Sequence, residues 1–104
     1  MLIYIAGPIT IGNPAHHIYT AIQTATQLRN KGHNVLLPHL DHLWDIVSPQ
    51  TWEALLENDL ILLSRCDAVL RLPGESKGAD CEVETANEIG IPVYYDISHV
   101  PDAD

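Results

Sequence analysis

Basic residues are scarce in this 104-residue chain: five Lys and Arg stand against fourteen Asp and Glu, for a formal charge of −9. That balance argues against DNA or RNA as partner, because phosphate backbones are gripped by clustered cations. It argues equally against an anionic membrane surface. Cysteine is sparse too. Cys66 and Cys81 are too few for a disulfide scaffold and lack metal-type spacing. No apolar run approaches the roughly 20 residues of a membrane span. The opening Met-Leu-Ile-Tyr-Ile-Ala-Gly-Pro carries no basic stretch of an export signal, so a soluble, cytoplasmic protein is expected. Acid is absent altogether from residues 1–40, which hold only Arg29 and Lys31; every Asp and Glu lies in residues 41–104. The N-terminal third is therefore the friendlier surface for an anionic ligand. Neither a P-loop nor a G-x-G-x-x-G fingerprint is present.

What is present suits one compact domain spanning residues 1–104: 46% apolar residues against 18% charged ones can form a core. Short β-type runs alternate with longer helical ones. Leu2–Ala6 is a continuous apolar run stopped by Gly7-Pro8, as expected of a strand buried on both faces. Asn13-Pro14 opens a helix whose Ile18, Ala21, Ile22, Ala25 and Leu28 repeat at helical spacing until Gly32. Asn34–Leu37 is a second strand. Residues 39–47 read as a loop or short helix, and Ser48-Pro49 opens another helix to about Ser64, offering Trp52, Leu55, Leu56, Leu60 and Leu63 to the core. Asp67–Leu72 is a third strand, Gly78–Glu88 a helix ended by Gly90, Ile91–Tyr95 a fourth strand, and the remainder a polar tail. This order predicts an α/β fold: a minimal Rossmann-like or flavodoxin-like parallel sheet, strand order 2-1-3-4, with helices on both faces. Ligands bind such sheets beyond the carboxyl ends of the strands where the order reverses. Here that crevice is bordered by Gly7-Pro8-Ile9-Thr10 and by Pro73–Gly78.

Several residues near that point bear chemistry. Asp59 falls in the stripe formed by Trp52, Leu55, Leu56 and Leu63, where a carboxylate needs either a partner such as Arg65 or Arg71 or a function. On the next helix Glu84 and Glu88 lie opposite the apolar stripe, whereas Glu82 shares a face with Ala86 and Ile89. Its place in the first turns, at the positive end of the helix dipole, favours the ionised form by ~0.3–1 kcal/mol. A charged carboxylate at the crevice suits a nucleophile toward a sugar carbon, though a Glu that merely complements the dipole has the same spacing. Ser76 and the amides near Gly78 offer an anion site at a helix start. His39, Asp41, His42 and Asp45 read as a solvated loop or a lid on the substrate side, with a metal site as the lesser alternative.

Three blocks, in order, resemble the nucleoside 2-deoxyribosyltransferase superfamily: Tyr4-Ile5-Ala6-Gly7-Pro8-Ile9-Thr10, then Asn58-Asp59-Leu60 with Cys66-Asp67-Ala68-Val69, then Ser76-Lys77-Gly78-Ala79-Asp80-Cys81-Glu82-Val83-Glu84-Thr85-Ala86. The resemblance covers nearly the whole chain and is nearest to a small phage and bacterial branch. It implies cleavage of an N-glycosidic bond without metal or cofactor. Glu82 would be the nucleophile that forms a glycosyl-enzyme intermediate, Asp59 would orient nucleophile and sugar, and Tyr4 would position the carboxylate. Gly7, Pro8, Ile9, Thr10, Ser76, Lys77 and Gly78 would surround a nucleoside or nucleotide. Ser76 stands where monophosphate-hydrolysing members have Ser, which tilts the resemblance toward a nucleotide; Pro8 and Thr10 depart from the Ser and Arg of those members. A homodimer or larger assembly is implied, because family sites are completed by a neighbouring subunit. A nucleotide-binding module without turnover, or an assembly protein with a vestigial site, are the alternatives from other classes.

Overall fold

The computed structural model describes residues 1–103. Four parallel strands, β1 (Leu2–Ala6), β2 (Asn34–Leu36), β3 (Ala68–Arg71) and β4 (Val93–Tyr94), form one sheet in the order β2-β1-β3-β4. The α/β fold and the strand order expected from the sequence are both borne out. β1 is central, pairing Ile3 with Val35 on one side and with Ala68 on the other. Its alternating side chains divide the core. Ile3 and Ile5 meet Ala21, Ala25 and Leu28 of α1 (Pro14–Asn30), while Tyr4 and Ala6 meet a second cluster. That second cluster takes Leu63 from α3 (Trp52–Leu63) and Ala79 and Ala86 from α4 (Lys77–Ile89), so helices cover both faces.

Local chemistry sets the helix boundaries. Asn13 caps α1, its side chain accepting from the His16 amide, with Pro14 at the first helical position. Ser76 caps α4 by accepting from the Ala79 amide at 3.0 Å. Gly90 ends that helix at φ +82°, a left-handed conformation glycine adopts without strain.

Two boundaries are corrected, and two segments gain definite structure. The third helix begins at Trp52 rather than at Ser48-Pro49, because Thr51 accepts from the Ala54 amide at 3.1 Å and the Gln50 amide is taken by Asp45 at 2.7 Å. Residues 38–47 are a 3-10 turn (Pro38–Leu40) running into α2 (Asp41–Val47), a helix with no buried residue. β4 is shorter than Ile91–Tyr95; Pro92 has no N–H for the ladder and contributes only its carbonyl, which accepts from the Val69 amide at 2.9 Å. The polar tail is not loose. Val100 is 1% exposed within the α1 cluster, Lys31 Nζ donates to its carbonyl, and the Ala103 amide donates to the Lys31 carbonyl. Among the described residues no helix is long and apolar enough to cross a membrane.

Candidate active site

The carboxyl ends of β1, β2 and β3 open on a cavity of about 210 Å³. Its floor is Glu82, brought there by α4: Ala79, Glu82 and Ala86 form the helix's buried face, so a carboxylate occupies a core position and is 6% exposed. The Tyr4 hydroxyl, rising from β1 through the same cluster, donates to Glu82 Oε2. Burial pushes the Glu82 carboxyl up to about 7, against the lowering effect of the Tyr4 hydrogen bond and of Arg71. The dipole position read from the sequence is therefore outweighed. It contributes ~0.3–1 kcal/mol, whereas each pKa unit is worth roughly 1.4 kcal/mol. Burial and the neighbouring carboxylates also hold the Tyr4 phenol protonated far above its usual range.

One wall is the first half of α3. Only Leu63 of this helix is buried, so Trp52, Leu55 and Leu56 line the cavity instead of filling the core as expected. Asp59 belongs to the same face. It forms no ion pair with Arg65 or Arg71: Arg71 turns instead to the Leu72 carbonyl, to the Gly74 carbonyl at 2.9 Å and to Asp80 at 3.1 Å. Burial, together with the carboxyl of Asp41, raises the Asp59 carboxyl well above the carboxylate range.

Gly7, Ile9 and Thr10 form the lip after β1, and Ser76, Lys77 and Gly78 the lip at the start of α4. Gly7 is needed for close approach, since a Cβ there would lie 2.9 Å from Leu72 Cβ. Pro8 and Ser76, both expected at the substrate, are placed differently. Pro8 is buried and packs toward Gly74 rather than lining the cavity, whereas Ser76 lines it while its oxygen accepts the α4 capping bond and its O–H stays free to donate. Lys77 Nζ stands 5.2 Å over the Trp52 ring, a cation–π contact joining α4 to α3 across the mouth.

The third wall comes from the segment expected to be a solvated loop or substrate-side lid, with a metal site as the lesser alternative. His39, Asp41, His42 and Asp45 all line the cavity, and His39 is 1% exposed. Burial lowers the His39 imidazole to about 4, so it is neutral; the Pro8 carbonyl beside it lies outside hydrogen-bonding geometry. The sequence signal for this wall was present: four titratable residues directly after a strand that ends at the crevice. Among the described residues no group of three or more His, Cys, Asp or Glu side chains is arranged to hold a metal ion.

This architecture is the fold of the 2-deoxyribosyltransferases. The structure superposes on a 2-deoxyribosyltransferase of the psychrotolerant bacterium Bacillus psychrosaccharolyticus with TM-score 0.67 and 25% identity, covering 93% of this chain and 76% of that one. A 2-deoxyribosyltransferase from Leishmania mexicana gives TM-score 0.64 at 21% identity, over 88% of this chain and 61% of the other. The superfamily resemblance carried by the three sequence blocks is thus borne out. Over residues 1–95 the chain matches, and belongs to, the family described as a domain of unknown function, DUF4406. No curated protein matches it.

Proposed function

We propose that the protein cleaves the N-glycosidic bond of a (deoxy)nucleoside or its 5′-monophosphate by covalent catalysis, with Glu82 as nucleophile. The observation that carries this reading is a buried carboxylate, fixed by a tyrosine hydroxyl, on the floor of a partly apolar cavity in a 2-deoxyribosyltransferase fold. A Glu82 oxygen bonds to the anomeric carbon as the C1′–N bond breaks, and the base departs with that electron pair. A second base or water then displaces the glutamate and releases either a new nucleoside or the free sugar. Tyr4 keeps one carboxylate oxygen fixed and leaves the other for attack.

The wall charges favour a 5′-hydroxyl over a 5′-phosphate. Asp41, Asp45, Asp59, Glu75 and Glu82 line the cavity, and Lys77 is its one Lys or Arg among the described residues. The Ser76 oxygen accepts the capping bond from the Ala79 amide, so its O–H, Lys77 and the backbone amides of the lip are the donors left to meet a phosphate dianion against these five carboxyls. The neighbouring subunit implied by the resemblance has a natural landing surface in α2, where Leu43, Ile46 and Val47 are 61%, 63% and 84% exposed beside the cavity. We place the homo-oligomer contact there.

Incubation with deoxynucleosides and their 5′-monophosphates, with and without a second free base, tests the reading chromatographically. Base release or exchange by wild type that vanishes in Glu82→Ala is the expected result. No turnover by wild type, with nucleosides still raising the melting temperature, would make the protein a binding module instead.

A further inference from the structure

The lining of the cavity is lopsided in charge. Asp41, Asp45, Asp59, Glu75 and Glu82 line it against one ammonium, that of Lys77. Acidic clusters are commonly solvated surface, but this one comes with buried polar atoms that have no partner. Both ring nitrogens of His39 lack a hydrogen bond although the residue is 1% exposed, as do the buried Asp41 Oδ2 and Asp59 Oδ1. Buried polar groups are ordinarily satisfied, so bare atoms along one lining point to a molecule that meets them there. The cluster is not shaped for a metal ion: among the described residues no three His, Cys, Asp or Glu side chains are arranged to hold one. Trp52, Leu55 and Leu56 add apolar faces to the same lining. Trp52 already receives a cation, Lys77 Nζ, 5.2 Å from its ring. Carboxylates gathered around an aromatic face are the chemistry that recognises a flat, delocalised cation.

We propose that the preferred substrate is a nucleoside whose base carries a fixed positive charge, as an N-alkylated purine does, with the charged ring held among Trp52, Asp41, Asp59 and His39. This rests on the glycosyl reading above and names its substrate class. His39 is neutral by burial, so it adds no opposing charge, and its two ring nitrogens supply one donor and one acceptor to the edge of the base. Glu75, exposed on the lip beside Ser76, and Asp45 extend the negative field outward. Lys77 is the one opposing charge, and it is drawn to the Trp52 ring. A positive ring also acts on the nucleophile. Burial holds the Glu82 carboxyl up at about 7 and the Asp59 carboxyl well above the carboxylate range. An opposite charge nearby favours the ionised form, so the bound cation ionises the carboxylate that attacks its own sugar.

The step balances without a proton donor. A Glu82 oxygen bonds to C1′ as the C1′–N bond breaks, and the electron pair of that bond passes into the ring and cancels its positive charge. The base leaves neutral. An uncharged base would instead leave as an anion into a cavity lined by carboxyls, unless it were protonated. Water then attacks C1′ of the glycosyl ester and the bond from C1′ to the glutamate oxygen breaks. The free sugar departs, Glu82 returns as a carboxylate, and one proton passes to solvent.

Tryptophan fluorescence, which Trp52 reports from the cavity wall, reads the affinities directly. The probes are 1-methyl-2′-deoxyadenosine, a cation at neutral pH, its uncharged isomer N6-methyl-2′-deoxyadenosine, and unmethylated 2′-deoxyadenosine. The cation should bind roughly tenfold more tightly than either uncharged nucleoside. That advantage should shrink as salt is raised. Glu75→Gln should weaken the cation about threefold more than it weakens the uncharged pair, and Lys77→Met should strengthen the cation selectively. Equal or tighter binding of an uncharged nucleoside would overturn the proposal. So would spermidine binding as tightly as the cationic nucleoside, since that is mere attraction for any cation. Chromatography of the same mixtures separates this inference from the one beneath it. A cation bound in preference yet recovered intact leaves the charge selection standing and fails the glycosyl reading. Turnover of all three nucleosides that vanishes in Glu82→Ala, with no preference for the cation, does the reverse.

Discussion

At the residue scale, Glu82 is a stability liability placed where the proposed chemistry needs it. A carboxyl whose pKa is raised in the fold binds its proton more tightly folded than unfolded. The fold therefore loses stability as pH rises from the ordinary carboxylate range through about 7. Glu82→Gln preserves the shape and the hydrogen bond from Tyr4 while removing the charge. We expect it to abolish turnover and to melt higher than wild type at about pH 8, by at least ~4 °C for a domain of this size. The gap should close near pH 5, and equal melting at both pH values would contradict the argument. Tyr4→Phe acts in the opposite sense on chemistry. Without its hydroxyl Glu82 loses a bond that lowers its pKa, so activity should rise only at higher pH, the acid limb moving up by about one unit. That corresponds to roughly tenfold lower activity below neutrality.

At the scale of elements, most boundaries were legible because punctuation and periodicity agreed: Gly7-Pro8 stops β1, Asn13-Pro14 opens α1, and Gly90 closes α4. The start of α3 was misread because Ser48-Pro49 and Thr51 are both acceptable helix openings, and only the tertiary contact between Asp45 and the Gln50 amide decides between them. The Trp52, Leu55, Leu56 stripe shows a further limit. Periodicity reveals that a helix has an apolar face, but a core and a cavity wall need the same face. Ser76 illustrates the converse, a residue at the crevice whose hydroxyl has local work as a cap. Ser76→Ala should cost about 1 kcal/mol, the usual loss for a removed N-cap, read as a lowered melting temperature. Nucleoside affinity should change by less than threefold if the hydroxyl does not touch ligand.

On the scale of the whole molecule, two features lay beyond sequence pattern. The closing segment, residues 97–103, reads as polar yet covers the α1 face, because two apolar side chains, Val100 and the partly buried Ile97, and hydrogen bonds with Lys31 fix it there. Val100→Ala should destabilise by about 1.5–3 kcal/mol in denaturant titration, from lost methyl burial plus a residual cavity. The outward apolar face of α2 is the other, since a monomer's core does not account for it. If the proposed homo-oligomer forms through this face, charge placed there by Val47→Glu should lower the mass measured by light scattering to that of one chain, with the secondary structure intact; an unchanged mass would overturn that contact.

The sheet separates the molecule's two apolar clusters, and every residue given a chemical role lies on one side of it or at its carboxyl edge. The α1 side, with Tyr19 and Ile22 exposed on its outer surface, is thus a handle on the opposite face of the sheet from Glu82. A tether attached at Tyr19 would anchor the protein to a solid support through a residue that does not line the cavity, and substitutions for heat tolerance can be screened on that half while the other is left as it is.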